Sequence, residues 1–295
     1  MKAVTIAQYG SPDVLQYQDV ETPQATGDRL LVRVKASSVN PIDWKIRAGY
    51  LKLLTGRQFP LYLGLDVSGV VEAVGETVTR FQPGDEIYAC LEVKPKQAGT
   101  YAEYTTVPEF LAAHKPTNLS HLETATVPLA AMTALQALRN QGKVQSGQQV
   151  LINGASGGVG SFAVQIAKTL GAQVTGVCST RNLETVRSLG ADQVIDYTQT
   201  DFTQNASPYH CIFDTVAKRS FWDCRRVLTP QGHYITTLPM PDTLILGAIG
   251  KLLPWQKAHT IILQPKASDL ETLKTWIEAG KIRPLIDRTF PLTEI

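Results

Sequence analysis

Val150-Leu151-Ile152-Asn153-Gly154-Ala155-Ser156-Gly157-Gly158-Val159-Gly160 decides how this chain is read. An apolar, β-branched run meets a glycine-rich turn. Val159, Phe162, Ala163, Ile166, Ala167 and Leu170 then follow at helical spacing. Strand, tight turn and helix in that order are the context a dinucleotide-phosphate loop requires. Gly157 lets backbone approach a pyrophosphate, and Gly160 lets the helix pack close to the strand. The helix N-terminus offers free N–H groups and partial positive charge to phosphates. The spacing fits Gly-x-Gly-x-x-Gly except that Ala155 stands in the first glycine's place. A plain strand-to-helix turn also uses glycine; the flanking pattern favours the phosphate loop. The expected contacts are Ala155, Ser156, Gly157, Gly158 and Val159.

Working outward, the 295 residues allow one large or two ordinary domains. Hydrophobic content of 43% and charged content of 18% suit a globular protein with a full core. A net charge of +2 gives no electrostatic case for nucleic acid. Cys90, Cys178, Cys211 and Cys224 show no Cys-x-x-Cys pairing, so they read as buried thiols of a reducing compartment, and a cytoplasmic location is expected. Met1-Lys2-Ala3-Val4-Thr5-Ile6 enters a strand pattern directly, which argues against a signal peptide. No apolar run reaches the roughly 18 residues of a membrane span.

The pattern changes character near residue 120. Before it, short strand-like runs are separated by Gly and Pro: Leu30–Ala36, Val67–Val74 and Glu86–Ala89, the last entered through Phe81-Gln82-Pro83-Gly84-Asp85. These predict a mostly antiparallel, barrel-like β domain. After it, helices and strands alternate. Leu122–Leu138 reads as helix with a break point at Pro128. Strands are expected at Val150–Asn153, Gln173–Val177, Val194–Asp196, Cys211–Asp214, Gly232–Thr236 and Thr260–Leu263. Helices are expected at Val159–Leu170, Asn182–Leu189 and Phe221–Leu228. Short apolar strands between helices imply a parallel sheet covered on both faces, with a cofactor across the strands' carboxyl ends.

The end of the second of these strands bears on cofactor choice. An NAD site usually places Asp or Glu about 20 residues beyond the glycine motif. Here Cys178-Ser179-Thr180-Arg181-Asn182 holds no acid. Hydroxyls and a guanidinium bind a 2′-phosphate through charge-assisted hydrogen bonds. Ser179, Thr180, Arg181 and Asn182 are therefore expected at NADPH. The alternative is that Ser179 or Asn182 caps a helix and Arg181 is a solvated charge; capping and phosphate binding can coexist.

Further marks are Asn40-Pro41-Ile42-Asp43-Trp44-Lys45-Ile46-Arg47-Ala48-Gly49, Gly64-Leu65-Asp66-Val67-Ser68-Gly69-Val70-Val71, and Ala279-Gly280-Lys281-Ile282-Arg283-Pro284 with Phe290-Pro291-Leu292. Together with Asn153–Gly160 they make the chain resemble the zinc-independent medium-chain dehydrogenases/reductases, close to the quinone oxidoreductases and zeta-crystallin-like enzymes. The resemblance runs over nearly the whole chain. It implies an α/β protein with a GroES-like β-barrel domain, a Rossmann doubly wound parallel-sheet domain and a cleft between them. The expected boundaries are 1–121, 122–264, and a return segment 265–295. The resemblance also implies a further helix and strand beyond Phe290-Pro291-Leu292-Thr293-Glu294-Ile295, whose absence would leave the first domain with an exposed edge.

Zinc-dependent relatives place a Cys near Asn40 and a His-Glu pair at Leu65-Asp66. Leu65 cannot bind a metal, and Asn40 is a poor zinc ligand. The region after Cys90 lacks the cysteines of a structural-zinc lobe, and His114, His121, His210, His233 and His259 form no ligand pair at helical or hairpin spacing. No metal is expected. Alcohol oxidation then loses its usual alkoxide stabiliser. Reduction of a quinone, or of the C=C bond of an α,β-unsaturated carbonyl, needs only hydride and a few donors to the developing oxyanion. That acceptor chemistry with NADPH is the expected function. A metal-free NADP-dependent alcohol dehydrogenase and a non-catalytic NADPH-binding structural or redox-sensing protein are the alternatives.

By resemblance, Asn40 lies at the nicotinamide end, its amide facing substrate or ring; the alternative is a turn residue before Pro41. Tyr50 lines the substrate entrance or packs. Thr133 matches a threonine near the nicotinamide, or bonds its own helix backbone. Tyr197 matches a tyrosine flanking the adenosine phosphate, or is a strand-end aromatic. Asp66 reads as structural, and Lys45 as a solvated charge or a cation at the substrate mouth. Asp214-Thr215-Val216-Ala217 closes over the cofactor; the family usually has glycine at Ala217. Thr243–Trp255, with Leu244, Ile245, Leu246, Ala248, Ile249, Leu252 and Leu253, is apolar enough for a lid, a dimer surface, a substrate wall or a core helix. A last sheet strand near Ile261–Leu263 makes a homodimer the expected assembly.

Overall fold

The computed structural model describes residues 1–95, 98–204, 208–239, 243 and 255–295. Residues 244–254, which hold most of the apolar stretch after Thr243, lie outside the described residues. The chain divides into two compact units. One comprises Met1–Leu129, Gln264–Ala279 and Pro284–Ile295; the other comprises Ala130–Leu263 and Gly280–Arg283.

The first unit is antiparallel β structure. Strands β1 (Lys2–Ile6), β2 (Leu15–Asp19) and β4 (Leu61–Tyr62) form a three-stranded sheet in the order β2-β1-β4. Strands β3 (Arg29–Ala36), β5 (Asp66–Val74), β6 (Glu86–Cys90), β7 (Tyr104–Pro108) and β8 (Ala112–His114) form a second, in the order β7-β3-β5-β6-β8. The period of two explains the faces. In β3, Leu30 and Val32 are fully buried, while Arg33 and Lys35 point to water. Helix α1 (Pro41–Arg47) and the short helix α2 (Lys52–Thr55) follow β3. Ile46 from α1 joins Val4, Ile6, Leu61, Leu63 and Tyr101 in one core cluster. The helix Ala267–Glu278 returns to this unit. It buries Leu270, Leu273 and Ile277, and Tyr88 Oη donates to the Leu270 carbonyl at 2.6 Å.

The second unit is a six-stranded parallel sheet. Its strands are β9 (Gln149–Asn153), β10 (Gln173–Cys178), β11 (Gln193–Asp196), β12 (Tyr209–Asp214), β13 (Leu228–Thr236) and β14 (Lys257–Thr260), in the order β11-β10-β9-β12-β13-β14. Counted from β9, that is 3-2-1-4-5-6, the order of the dinucleotide-binding doubly wound fold. Val150, Leu151 and Ile152 are all fully buried, as a strand covered on both faces requires. Among the described residues no helix is long and apolar enough to cross a membrane. All four cysteines are buried and free.

The break expected at Pro128 divides Leu122–Leu138 into α3 (His121–Ala125) and α4 (Pro128–Leu135), with a π-turn following over Gln136–Gln141; two other expected elements change shape. Pro128 disfavours helical backbone at Val127, so the break falls just before it. The helix read over Phe221–Leu228 ends at Cys224; Arg225–Val227 tighten into a 3-10 turn, and Leu228 is already in β13. The strand read at Thr260–Leu263 lies at Lys257–Thr260. It pairs His233 to Thr236 with Lys257 to Thr260, and Ile261 N–H gives one more bond to the Thr236 carbonyl at 2.9 Å. Ile262 beyond it is 77% exposed. The apolar triplet marked the wrong residues because an edge strand tolerates polar side chains. Any pairing of two copies through this edge would use Lys257–Thr260.

Candidate functional site

The glycine corner follows β9. Gly154 and Ala155 N–H both donate to the Val177 carbonyl of β10, at 3.1 and 2.9 Å. That pins the turn to the neighbouring strand. Gly154 sits at φ +82°, a conformation that favours glycine. A Cβ on Gly160 would run into the Gly154 carbonyl oxygen, so Gly160 is required by packing. Ala155 is fully buried, and its methyl faces Gly176 of β10. The glycine absent from position 155 is thus answered by one on the adjacent strand. Ala155 shapes the corner and has neither a free N–H nor an exposed side chain.

Gly157 is the N-cap of helix α5 (Gly158–Thr169), with ordinary extended backbone at φ −81° and ψ 173°. Nothing among the described residues requires glycine there: its Cβ would sit 3.4 Å from the Gly154 carbonyl oxygen, and a Cβ on Gly158 would meet none of them within 4 Å. The N–H groups of Gly158 and Val159 lie in the first helical turn, where no intrahelical acceptor exists. The surroundings fit a phosphate-bearing cofactor: free N–H groups, a helix dipole and open space.

The second strand end joins this corner. Asn182 Nδ2 donates to Ser156 Oγ at 2.9 Å and to Ser179 Oγ at 3.3 Å. Three of the expected cofactor contacts therefore form one polar cluster. Thr180–Asn182 is a 3-10 turn, and Arg181 is exposed. One residue was missed. The parallel register places Asp196 opposite Cys178, and Thr180 Oγ1 donates to Asp196 Oδ2 at 2.5 Å. That hydrogen bond, with those of Thr198, holds the Asp196 carboxyl below its ordinary range. The stretch after Cys178 contains no acid, yet the fold delivers one from β11. Tyr197 N–H donates to the Cys178 carbonyl at 3.1 Å, and its ring is 61% exposed.

Asp214 organises the turn after β12. Its Oδ1 accepts from Asn153 Nδ2 at 2.9 Å and from the N–H groups of Val216 and Ala217 at 3.0 and 2.9 Å. These bonds hold Ala217 at φ +57°, in the left-handed region. Thr133 is buried on α4.

In the first unit, Asn40 is the N-cap of α1 and almost buried. Its backbone N–H donates to Asp43 Oδ2 at 2.7 Å. Its Nδ2 donates to Asp66 Oδ2 at 2.8 Å and to Ser38 Oγ at 3.1 Å. The amide nitrogen is thus spent on the protein, and the group it presents is the carbonyl oxygen. Asp66 is completely buried. It also accepts from Ser38 Oγ at 2.6 Å and from Leu129 N–H at 2.9 Å. Burial pushes its carboxyl up to about 6 against these bonds. Asp43 accepts from Tyr101 Oη at 2.9 Å, while its buried Oδ1 has no partner. Burial pushes Asp43 up to about 7, with the nearby Asp66 adding a smaller rise. Asp43, Ser38 and Tyr101 had no expected role. The Asn40-x-x-Asp43 spacing at a helix start was the signal available for Asp43. Tyr50 joins none of these bonds; it is 74% exposed and edge-on to Trp44, ring centroids 5.8 Å apart. Lys45 Nζ sits 5.8 Å from the Trp44 ring centroid.

No metal donor set forms around Asn40 and Asp66. Leu65 offers no donor, and the amide and carboxylate bond each other. Among the described residues no group of three or more His, Cys, Asp and Glu could hold a metal. Ser68, His121 and Glu86 do line up, with Ser68 Oγ 2.7 Å from His121 Nδ1 and His121 Nε2 3.1 Å from Glu86 Oε1. Ser68 is fully buried, so this series ties α3 to β5 and β6 and offers no nucleophile.

Comparisons with known proteins agree with this architecture. Residues 26–117 match the family described as alcohol dehydrogenase GroES-like domain, and residues 189–295 the family described as zinc-binding dehydrogenase. The chain is 36% identical to the mitochondrial NAD(P)H oxidoreductase RTN4IP1 of Mus musculus, over 100% of this chain and 84% of that protein. It is 34% identical to the chloroplastic NADPH-dependent alkenal/one oxidoreductase of Arabidopsis thaliana, over 99% and 73%. The solved quinone oxidoreductase from Coxiella burnetii superposes with a TM-score of 0.88 at 33% identity, covering 100% of this chain and 92% of that one.

Proposed function

This chain belongs to the quinone oxidoreductase, zeta-crystallin-like branch of the medium-chain dehydrogenases/reductases, and from that premise we propose that it reduces quinones or the C=C bond of α,β-unsaturated carbonyls with NADPH and without a metal. Membership makes it an NAD(P)H-dependent oxidoreductase. The observation that carries the rest is the glycine corner. Gly157 is a glycine with no structural duty, at a helix N-terminus whose first N–H groups lack acceptors. Ser156, Ser179 and Asn182 gather beside it.

When bound, the dihydronicotinamide supplies a hydride to an electron-poor carbon. The corner holds the pyrophosphate by N–H bonds and the helix dipole. Arg181 and the Ser179 hydroxyl would hold the 2′-phosphate, the Thr180 proton being given to Asp196. Charge developing on the acceptor's oxygen needs donors. Asn40 is not one, because Asp66 and Ser38 occupy its Nδ2. Its carbonyl oxygen, the capping acceptor of α1, can accept instead from an amide or hydroxyl of cofactor or substrate. The exposed Tyr50 hydroxyl is the donor we assign in the first unit, and Thr133 of α4 is assigned to the nicotinamide.

One observation favours a second reading on cofactor choice. Asp196 places a carboxylate on Thr180, where it repels a 2′-phosphate and can accept from a ribose hydroxyl. Use of NADH alongside NADPH follows from it. The test is loss of absorbance at 340 nm when the protein is mixed with NADPH or NADH and with 2-cyclohexenone, acrolein, longer enones, and ortho- or para-quinones. Turnover with at least one acceptor and a preference for NADPH support the proposal. Binding of NADPH with no turnover on any acceptor refutes it and selects the non-catalytic alternative.

A further inference from the structure

The parallel sheet has a second rim. The glycine corner lies at the carboxyl ends of the strands, after Asn153 of β9. At the opposite rim, where β13 and β14 begin, Trp222, Arg225, Arg226, Pro230, Trp255 and Gln256 line an open cavity of about 580 Å³. Its walls are unusual for a surface. Trp222 and Trp255 are 56% and 58% exposed. Two large aromatics left in water at one concavity mark a contact site more often than an accident. The Arg225 guanidinium lies 5.7 Å from the Trp222 ring centroid.

Arg225 is held in place by its own surroundings. Its Nε donates to Gln256 Oε1 at 3.3 Å, and Gln256 Nε2 donates to the Arg225 and Leu228 carbonyls at 2.9 and 3.0 Å. The glutamine is anchored by the backbone and in turn orients the guanidinium. Arg225 and Arg226 form no ion pair within 4.0 Å among the described residues, although Arg226 helps hold the Asp201 and Asp223 carboxyls below their ordinary range. A preorganised cation loses little entropy when an anion arrives. A planar guanidinium fork suits phosphate or carboxylate, and tryptophan faces suit a flat ring.

We propose that this cavity binds a planar aromatic anion of the aryl phosphate type, its ring against Trp222 and Trp255 and its charge on Arg225 and Arg226. The volume lies within the roughly 300–1,000 Å³ span of small-molecule sites. A neutral enone or quinone needs no paired cations, so this is not a second copy of the proposed acceptor site. The position at the opposite rim separates it from the cofactor.

The test is calorimetric titration of the full chain with 1-naphthyl phosphate in saturating NADP⁺, so that the dinucleotide site cannot take the probe. Inorganic phosphate and 1-naphthol are titrated in parallel. One site per chain is expected for 1-naphthyl phosphate, with each half-probe at least tenfold weaker. Arg225→Ala and Trp222→Ala should each weaken the aryl phosphate at least tenfold at an unchanged melting temperature. Arg226→Ala provides a further variant should Trp222→Ala prove unstable, and should weaken binding several-fold. Absence of heat with wild-type protein at millimolar probe overturns the proposal. Affinity unchanged by Arg225→Ala and Arg226→Ala, or inorganic phosphate binding as tightly as the aryl phosphate, overturns it as well.

Discussion

Gly157→Ala separates a glycine kept for a ligand from one kept for the fold. The backbone at 157 is extended and open to any residue, and the new methyl would make only a 3.4 Å contact with the Gly154 carbonyl oxygen. Alanine lowers the entropy of the unfolded chain, stabilising by about 0.4–1 kcal/mol. It is also a slightly poorer N-cap, by a similar amount. The two offset, so the melting temperature should move by no more than about 2 °C. The cofactor should respond differently. The methyl stands where phosphate oxygens approach the N–H groups of Gly158 and Val159, and a hydrogen bond to a charged group contributes about 1.5–3 kcal/mol. Loss of one such bond weakens NADPH binding by roughly 10- to 150-fold, at about 1.4 kcal/mol per decade. Calorimetric titration of wild type and variant with NADPH, next to thermal melts of both, gives the two numbers. Gly160→Ala, whose methyl collides with backbone, should instead prevent stable folding. An NADPH affinity within twofold of wild type in a stable Gly157→Ala protein would refute the phosphate loop.

Other outcomes follow from the same geometry. Asp43, pushed up to about 7, keeps its proton in the folded chain at pH values where the unfolded chain has lost it. The native state therefore binds more protons between about pH 4 and 7, and stability falls as pH rises through that window. Asn resembles the protonated acid, so Asp43→Asn should gain on wild type by about 1.4 kcal/mol per pH unit across it, as denaturant melts at several pH values would show; a pH-independent difference would contradict the assignment. Ala217→Gly relieves a left-handed alanine at φ +57°, by roughly 1–2 kcal/mol, and loses about 0.4–1 kcal/mol to the freer unfolded chain, so the melting temperature should stay level or rise by about 2 °C; a clear fall would show that the Asp214 bonds leave no strain to relieve. Arg181→Ala should lower the NADPH-to-NADH affinity ratio about fivefold, the worth of an exposed charge contact, and Asp196→Asn should raise it; equal ratios in all three proteins would remove the 2′-phosphate assignment.

The parallel sheet was legible because its period is local. Buried runs such as Val150–Ile152 and the spacing Phe162, Ala163, Ile166, Ala167 announce themselves over a few residues. The turn between β9 and α5 was legible for the same reason, whereas the meeting of Ser156 with Asn182 depends on the pairing of β9 with β10. What escaped was set by register. Asp196 reaches Thr180 only because β10 and β11 pair in parallel, a relation between residues 16 apart in sequence with a helix between them. Ala155 was counted as a ligand contact from its place in a motif, whereas the buried methyl packs against Gly176, on a strand the motif does not include. The sequence places the Asn40 amide toward substrate or ring without showing that the buried Asp66 takes its nitrogen, a contact across 26 residues. Edge strand β14 was displaced because the sequence signal follows apolar residues and the edge pairs polar ones.

The central claim is hydride transfer from NADPH to an electron-poor acceptor with no metal taking part. The most direct measurement is the rate of NADPH oxidation at 340 nm, with an enone or quinone, by full-length protein dialysed against a strong chelator and assayed for bound metals. An unchanged rate in metal-free protein, not increased by added zinc, is the predicted result. A rate that vanishes on chelation and returns with one equivalent of zinc would contradict it.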